Sequence, residues 1–268
     1  MDSLHLDKNM RLEGNAALND ARHAILGVPA DYTQTNRVGA RYAPLEIRKN
    51  FLELDKEWDR ISYYDLGNVW PVLGDMKATC GRVAEVLTQL KSESHATPII
   101  LGGEHTITYG AVKALQPEVV VWFDAHADLN DKYLGQPFCH ATVARRIMEL
   151  GVKLVQVGVR TKSFEEKEYS EKERVIQVSA EDAKPVLKKL KGKRVYVSVD
   201  LDVLDPSIVP GVGNPEPDGI SLNTLLSLID TLREACKPVG FDIVEACPNF
   251  DQGLACLSAA AILKSILK

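Results

Sequence analysis

Short apolar, β-branched runs recur along the chain, at residues 23–27, 61–64, 98–101, 119–123, 154–157, 175–178, 195–199 and 240–244. Several, such as Val119-Val-Val-Trp-Phe123, are apolar at every position instead of every second one. A strand with no polar face is covered on both sides, which is the condition of a parallel sheet packed between helices. Amphipathic stretches lie between many of the runs, at 81–91, 142–150, 181–190 and 221–235. The alternation predicts an α/β fold with about eight strands and helices on both faces of the sheet. The 268 residues suffice for one large core. With no internal repeat, low-complexity tract or Pro/Ser-rich linker, the chain reads as a single domain over 1–268, residues 1–20 forming an N-terminal extension.

Composition narrows the functional classes. Hydrophobic residues make up 45% and charged residues 26%, ordinary values for a globular protein. A net charge of -5 supplies neither the basic footprint of a nucleic-acid binder nor that of a protein held on an anionic membrane. The five cysteines are odd in number and form no C-x-x-C pair, so a reducing compartment is expected. The polar N-terminus lacks the apolar core of a signal peptide, and no apolar run reaches the ~18 residues that cross a membrane. A cytoplasmic location is the expectation.

In open α/β sheets, ligands bind beyond the carboxyl ends of the strands. After residues 98–101 comes Gly102-Gly-Glu-His105, where two glycines permit a tight turn and His105 enters a helix. After 119–123 comes Asp124-Ala-His-Ala-Asp128. Alternate side chains of an extended segment share a side, so Asp124, His126 and Asp128 are expected to face one spot. After 195–199 comes Asp200-Leu-Asp202. Taken alone, an Asp at a strand end is most often a helix cap or turn former. Three such motifs, each directly behind an apolar run, make a poor set of unrelated caps. Four carboxylates carry a formal charge that two divalent cations neutralise, and two metals about 3.5–4 Å apart form the usual two-metal hydrolytic centre. Carboxylate and imidazole donors without thiolate suit Mn²⁺ better than a cysteine-based zinc site.

These motifs carry a resemblance. GGEHTIT (102–108), FDAHADLND (123–131), FCHATV (138–143), SVDLDVLDPSIVPGVGNPEPDGIS (198–221) and DIVEACPNFD (242–251) resemble the ureohydrolases, the family of arginase and agmatinase. So does the opening segment GVPADYTQTNRVGARYAPLEIR (27–48), and the whole likeness runs from roughly 23 to 265 in the family's order. The resemblance implies an arginase-like three-layer α/β/α fold, a parallel eight-stranded sheet and a dimanganese centre. Carried over motif by motif, His105, Asp124, His126, Asp128, Asp200 and Asp202 hold two Mn²⁺ ions, with Asp124, Asp128 and Asp200 as the shared carboxylates. It further implies that a hydroxide bridging the ions attacks a guanidinium carbon and that Asp128 relays its proton. Glu245 falls where the family grips the guanidinium, a planar cation that pairs with carboxylate through parallel hydrogen bonds. His140 falls at the family's proton-shuttling histidine, a role suited to an imidazole. A homo-oligomer, trimer or hexamer, is implied as well.

The loop Asn130–His140 resembles agmatinase more than arginase. It lacks the Ser/Asn set with which arginase reads an α-carboxylate, and the segment 158–163 lacks the acidic residues arginase places there for the α-amino group. Asn130, His140 and Glu245 are the expected substrate contacts. The expected substrate is agmatine, a small cationic guanidino compound cleaved to putrescine and urea. Ala127, Ala141, Asn214 and Asp218 depart from the commoner family pattern without removing a metal ligand. Arginase, guanidinobutyrase and formiminoglutamase activities are the alternatives within the family, Lys132 offering a partner for an acidic tail. A non-catalytic metal-binding relative is the alternative from another class, and retention of all six ligands, Glu245 and His140 argues against it.

Overall fold

A computed structural model of the chain describes residues 5–54 and 61–268. Its strands are β1 (Leu6–Asp7), β2 (His23–Val28), β3 (Tyr63–Val69), β4 (Thr97–Gly102), β5 (Val119–Phe123), β6 (Lys153–Val157), β7 (Ile176–Val178), β8 (Arg194–Asp200) and β9 (Lys237–Val244). Its α-helices are α1 (Ala43–Leu54), α2 (Met76–Glu93), α3 (Thr108–Leu115), α4 (Val143–Met148), α5 (Phe164–Lys172), α6 (Ala180–Lys188), α7 (Leu222–Ala235) and α8 (Leu254–Leu267). The strands join in one sheet, in the order β1-β3-β2-β4-β9-β8-β5-β6-β7. Strands β2 to β9 run parallel, matching the expected eight. A ninth, β1, pairs antiparallel with β3 at the edge. Two residues without an apolar run leave no periodicity to detect, so nothing in the sequence pattern announces this strand. Within the stretch expected to form an extension, Leu12 is also buried, and its N–H donates to Asp65 Oδ2 at 2.9 Å.

Side chains alternate across the strands and build two cores. In β5, Val119, Val121 and Phe123 join the layer that contains residues of α1, α6, α7 and α8. Val120 and Trp122 join the opposite layer, with residues of α2, α3 and α4. The helix α5 (FEEKEYSEK) shows no apolar periodicity. It is started by a reciprocal cap in which Ser163 Oγ accepts the Glu166 N–H and Glu166 Oε2 accepts the Ser163 N–H.

β3 begins later and runs further than its apolar run suggested, through Asp65, Gly67 and Asn68. These polar positions are buried because Arg48 of α1 meets them. Arg48 Nε and Nη2 donate to Asp65 Oδ2 and Oδ1 at 2.8 and 2.9 Å, and Nη1 donates to Asn68 Oδ1 at 2.7 Å. The remaining acceptor capacity of Asp65 takes the N–H groups of Leu12 and Gly67. The paired fork fastens α1 to the sheet.

The order of the central strands positions the site. β4, β9, β8 and β5 are consecutive neighbours, registered Leu101 with Ile243, Val244 with Asp200 and Val199 with Phe123. The segments leaving the carboxyl ends of these strands therefore emerge along one edge. β4 and β5 are successive in the chain but separated in the sheet, which creates the crevice where ligands of such sheets bind.

Replacing Arg48 with Met strands the Asp65 carboxylate in the interior. Removing one partner of a buried pair costs about 3–5 kcal/mol, so the urea midpoint of Arg48→Met falls accordingly, while an additional Asp65→Asn change recovers part of the loss.

Candidate metal centre and adjoining pocket

Each donor is set by the end of its strand. Beyond β4 the chain turns sharply at Gly103, where a Cβ would collide with the Ala30 carbonyl oxygen, so only glycine fits. His105 then opens a single 3₁₀ turn (His105–Ile107) ahead of α3. Asp200 closes β8, and its Oδ1 accepts the N–H of Asp202 at 2.8 Å in the following turn. Asp124 follows β5, accepting the His126 N–H at 2.6 Å on Oδ1 and the Trp122 indole N–H at 2.8 Å on Oδ2.

Five of the six candidate ligands form two adjoining groups, and the sixth, Asp128, lies beside the first. Ligand atoms of His105, Asp124 and Asp200 lie within 4.8 Å of one another, and so do those of Asp124, His126 and Asp202. Asp124 belongs to both. His105 Nδ1 stands 3.0 Å from Asp200 Oδ2, 3.2 Å from Asp124 Oδ2 and 3.6 Å from Asp128 Oδ2. His126 Nδ1 stands 2.8 Å from Asp202 Oδ2 and 3.5 Å from Asp124 Oδ1. The expectation that Asp124, His126 and Asp128 face one spot is corrected to two neighbouring spots. Asp128 has φ +54°, which ends the extended alternation before it; its carboxylate lies beside His105, whereas His126 joins Asp202.

The chemistry of His105 fits a cation. Ser198 Oγ donates to Asp242 Oδ1 at 2.6 Å, so it can only accept from His105 Nε2, 2.8 Å away. Asp242 is held for this by further donors, Thr108 Oγ1 and Tyr196 OH. In its neutral form, with Nε2 carrying the proton, the ring turns its Nδ1 lone pair toward three carboxylate oxygens. Nδ1 is buried and has no hydrogen-bond partner among the described residues. A lone pair facing carboxylates in the interior calls for positive charge between them, and fixing a ligand imidazole through its other nitrogen is a recurrent feature of metal sites. The ring is also stacked on Trp122, with centroids 3.8 Å apart.

Titration behaviour expresses the same demand. Burial, then repulsion from Asp124, pushes Asp128 well above the usual carboxylate range; burial and then Asp202 do so for Asp200. Burial favours the neutral form of His105, but Asp124 and Asp128 outweigh it and raise the imidazole to about 9. Protons and metal ions compete for the same atoms.

A cavity of about 330 Å³ opens over both groups, and His140, Asn130 and Glu245 line it. Glu245 follows β9 with φ +66°, a strained conformation for a glutamate. Its N–H donates to the Gly103 carbonyl at 2.9 Å, its Oε1 accepts the His105 N–H at 2.7 Å, and its Oε2 accepts from Gln34 Nε2. Burial raises its carboxyl to about 8. His140 lies in a 3₁₀ turn before α4, and burial followed by the charge of His126 lowers it to about 4, leaving a neutral ring. Asn130 is occupied structurally: its Nδ2 donates to the Ala141 carbonyl at 3.3 Å and its Oδ1 accepts from Ser163 Oγ at 3.0 Å, closing the loop at its base. Lys132 is not part of the lining. Lys162 is, with Nζ donating to Gln177 Oε1 at 2.7 Å. Glu166 is a site residue outside every motif of the resemblance, whereas Gln34, Tyr133 and Glu216 lie in stretches that carry it but have no role assigned by it. Glu166 lies just beyond the acid-free segment 158–163, and its capping role hid its place in the lining.

A three-layer α/β/α sandwich with two fused carboxylate–imidazole donor groups at its strand ends is the framework of a binuclear metal protein. Residues 21–268 match the family model described as the arginase family, and the chain belongs to that family. It is 39% identical to the N(1)-aminopropylagmatine ureohydrolase of Thermococcus kodakarensis over 255 residues, covering 91% of this chain and 88% of that protein. It is 37% identical to the agmatinase of Pyrococcus horikoshii, covering 92% and 91%. The crystal structure of the agmatine ureohydrolase of Thermoplasma volcanium superposes with a TM-score of 0.85 at 33% identity, covering 95% of this chain and 91% of that one.

Metal uptake at this centre would displace protons from raised carboxylates and from His105, so affinity would rise with pH. Titrating the metal-free chain with Mn²⁺ in buffers of different ionisation enthalpy is expected to show net proton release, with tighter binding at about pH 8 than at about pH 6. Binding without proton release and independent of pH would contradict the assignment.

Proposed function

We propose that this chain hydrolyses agmatine to urea and putrescine, as an enzyme of polyamine formation in the cytoplasm. His105, Asp124, His126, Asp128, Asp200 and Asp202 would hold two Mn²⁺ ions, which when bound supply Lewis-acid activation of water at neutral pH. Glu245 grips the guanidinium. A buried carboxyl raised to about 8 gains strongly from a cationic partner, which holds it ionised. Asp128 accepts the proton of the attacking water and passes it toward the leaving nitrogen. The water oxygen adds to the guanidinium carbon, and the bond from that carbon to the tail nitrogen breaks. The tail nitrogen takes up the proton and leaves as the amine of putrescine. His140, neutral near pH 7, exchanges protons between the cavity and solvent.

The observation that carries this reading is the charge of the cavity. Beyond five of the donors, and with Glu245 given to the guanidinium, its lining contributes Glu166 and Glu216 against Lys162, whose ammonium is directed to Gln177. A tail ending in an ammonium group suits that wall, and the α-carboxylate of arginine does not. The names of two of the most similar relatives specify agmatine or its aminopropyl derivative, both with cationic tails. Family likeness also supports a homo-oligomer, trimer or hexamer, which sedimentation equilibrium tests.

Urea release is expected from agmatine, with N(1)-aminopropylagmatine as the second candidate of the same tail chemistry. Arginine is expected to show at least about tenfold lower kcat/KM, the effect of leaving one charged group poorly paired. Arginine equal to or better than agmatine would overturn the substrate assignment. Glu245→Gln is expected to weaken both substrates alike. Asp128→Asn is expected to lower kcat by about a hundredfold or more with an unchanged circular dichroism spectrum. Chelation abolishes turnover and Mn²⁺ restores it; full activity in verified metal-free protein rules the mechanism out.

A further inference from the structure

The loop ahead of α1 brings two adjacent side chains to the two groups of the site outside the donor set. Thr33 reaches His140, and Gln34 reaches Glu245. We infer that Thr33 and Gln34 are paired positioning residues: Thr33 sets the ring tautomer of His140, and Gln34 aims the carboxylate of Glu245. The inference rests on the roles proposed above for His140 and Glu245.

Thr33 acts through its hydroxyl. Its O–H donates to Glu104 Oε1 at 2.5 Å and its N–H donates to Glu104 Oε2 at 2.6 Å. Glu104 is fully buried and accepts a third hydrogen bond from Thr106 Oγ1. Oε1 thus faces two hydroxyls and Oε2 faces the Thr33 N–H, the pattern of two acceptor oxygens. With its proton committed to Glu104, Thr33 Oγ1 offers only lone pairs. Facing it are the backbone N–H of His140 at 3.2 Å and His140 Nδ1 at 3.4 Å. A lone pair on Nδ1 would oppose a lone pair on Oγ1, so Nδ1 carries the ring proton and Nε2 is the basic nitrogen. The wrong tautomer would leave His140 in place but present the wrong nitrogen for proton transfer.

Gln34 acts through its amide. Its Oε1 accepts the N–H groups of Gly39 and Ala40 at 3.3 and 3.4 Å, which fixes the amide orientation and sends the NH₂ to Glu245 Oε2. Gly213 lies over the pair: a Cβ there would stand 2.9 Å from Glu245 Oε2 and 3.0 Å from Gln34 Nε2. Glu245 has a strained backbone, and its other oxygen is tied by the His105 N–H. The amide of Gln34 is the tie that fixes the rotation of the carboxylate plane, on which parallel pairing with a guanidinium depends.

The two residues are adjacent, yet their variants should fail differently, and a loop that merely stabilises the fold cannot produce that difference. Thr33→Val keeps the shape and removes the hydroxyl. It is expected to lower kcat about tenfold or more with KM nearly unchanged, because a proton-transfer group is misprotonated. Thr33→Ser, which restores the hydroxyl, recovers most of that loss. Gln34→Met is expected to raise KM for agmatine and the inhibition constant of guanidinium ion, used below denaturing concentration, each about tenfold, the effect of losing a hydrogen bond to a charged group. Bound metal per chain stays at the wild-type value in all three, and Tm falls by no more than a few degrees in Thr33→Val and Gln34→Met, each of which leaves a buried carboxylate with one donor fewer. The same combination of kcat and KM changes in both Thr33→Val and Gln34→Met would overturn the inference, as would wild-type kinetics in either. His140→Asn and Glu245→Gln serve as references. If those two retain wild-type kcat/KM, the functional roles fail and the inference falls with them; if they lose it while the loop variants do not, the inference alone fails.

Discussion

Like charge is concentrated at one end of this sheet, and much of the surrounding structure answers to it. Four aspartates, each at most 7% exposed, share a small volume with two imidazoles. Such a set resists burial unless positive charge lies among its oxygens. Asp124 belongs to both donor groups and binds the Trp122 indole as well. The buried relay from His105 through Ser198 to Asp242 then fixes which imidazole nitrogen is available. Asp242 neither reaches the cavity lining nor belongs to the donor groups. Its interior charge is sustained by three hydroxyl donors, a buried polar network that is fully satisfied and therefore rigid.

Strand order sets a cavity beside this charge. β9 inserts between β4 and β8, so Glu245 emerges between the His105 turn and the Asp200–Asp202 turn. The positive φ of Glu245 and that of Asp128 fall on two residues assigned to the chemistry. Strain of this kind persists only where neighbours over-determine the conformation. For Glu245 those neighbours are the Gly103 carbonyl, the His105 N–H and the Gln34 amide. The first two come with the adjacent β4 turn. The third comes from a loop 211 residues away in sequence. The same loop presents Thr33 to His140, so one segment touches both groups outside the metal donors.

Much of the site was legible because its motifs are local. Asp124, His126 and Asp128 are separated by single residues, as are Asp200 and Asp202, and each set follows an apolar run whose strand character needs no partner to recognise. The eight parallel strands were legible for the same reason, although β3 extended through Asp65 and Asn68, whose burial depends on a distant arginine. Residues that act by reaching across the fold were not legible. Glu166 looks like a helix cap and is one; that it also lines the cavity depends on where α5 sits. Thr33, Gln34 and Glu104 have no spacing that announces them. Asn130 lies where it was expected, but both ends of its amide are engaged in holding the loop together.

The sequence by itself determined the fold class and the six candidate donors, because periodicity and short-range spacing are properties of a chain before it folds, and its resemblance to the ureohydrolases pointed to Glu245 and His140. Tertiary structure decided how those residues are grouped. The division of the donors into two sets sharing Asp124, the turning of Asp128 toward His105, the seating of Glu245 between two turns and the recruitment of Thr33 and Gln34 all depend on lateral strand order and on a left-handed backbone at two residues. Those are set by hydrogen bonding and packing between segments distant in sequence, and no local pattern encodes them.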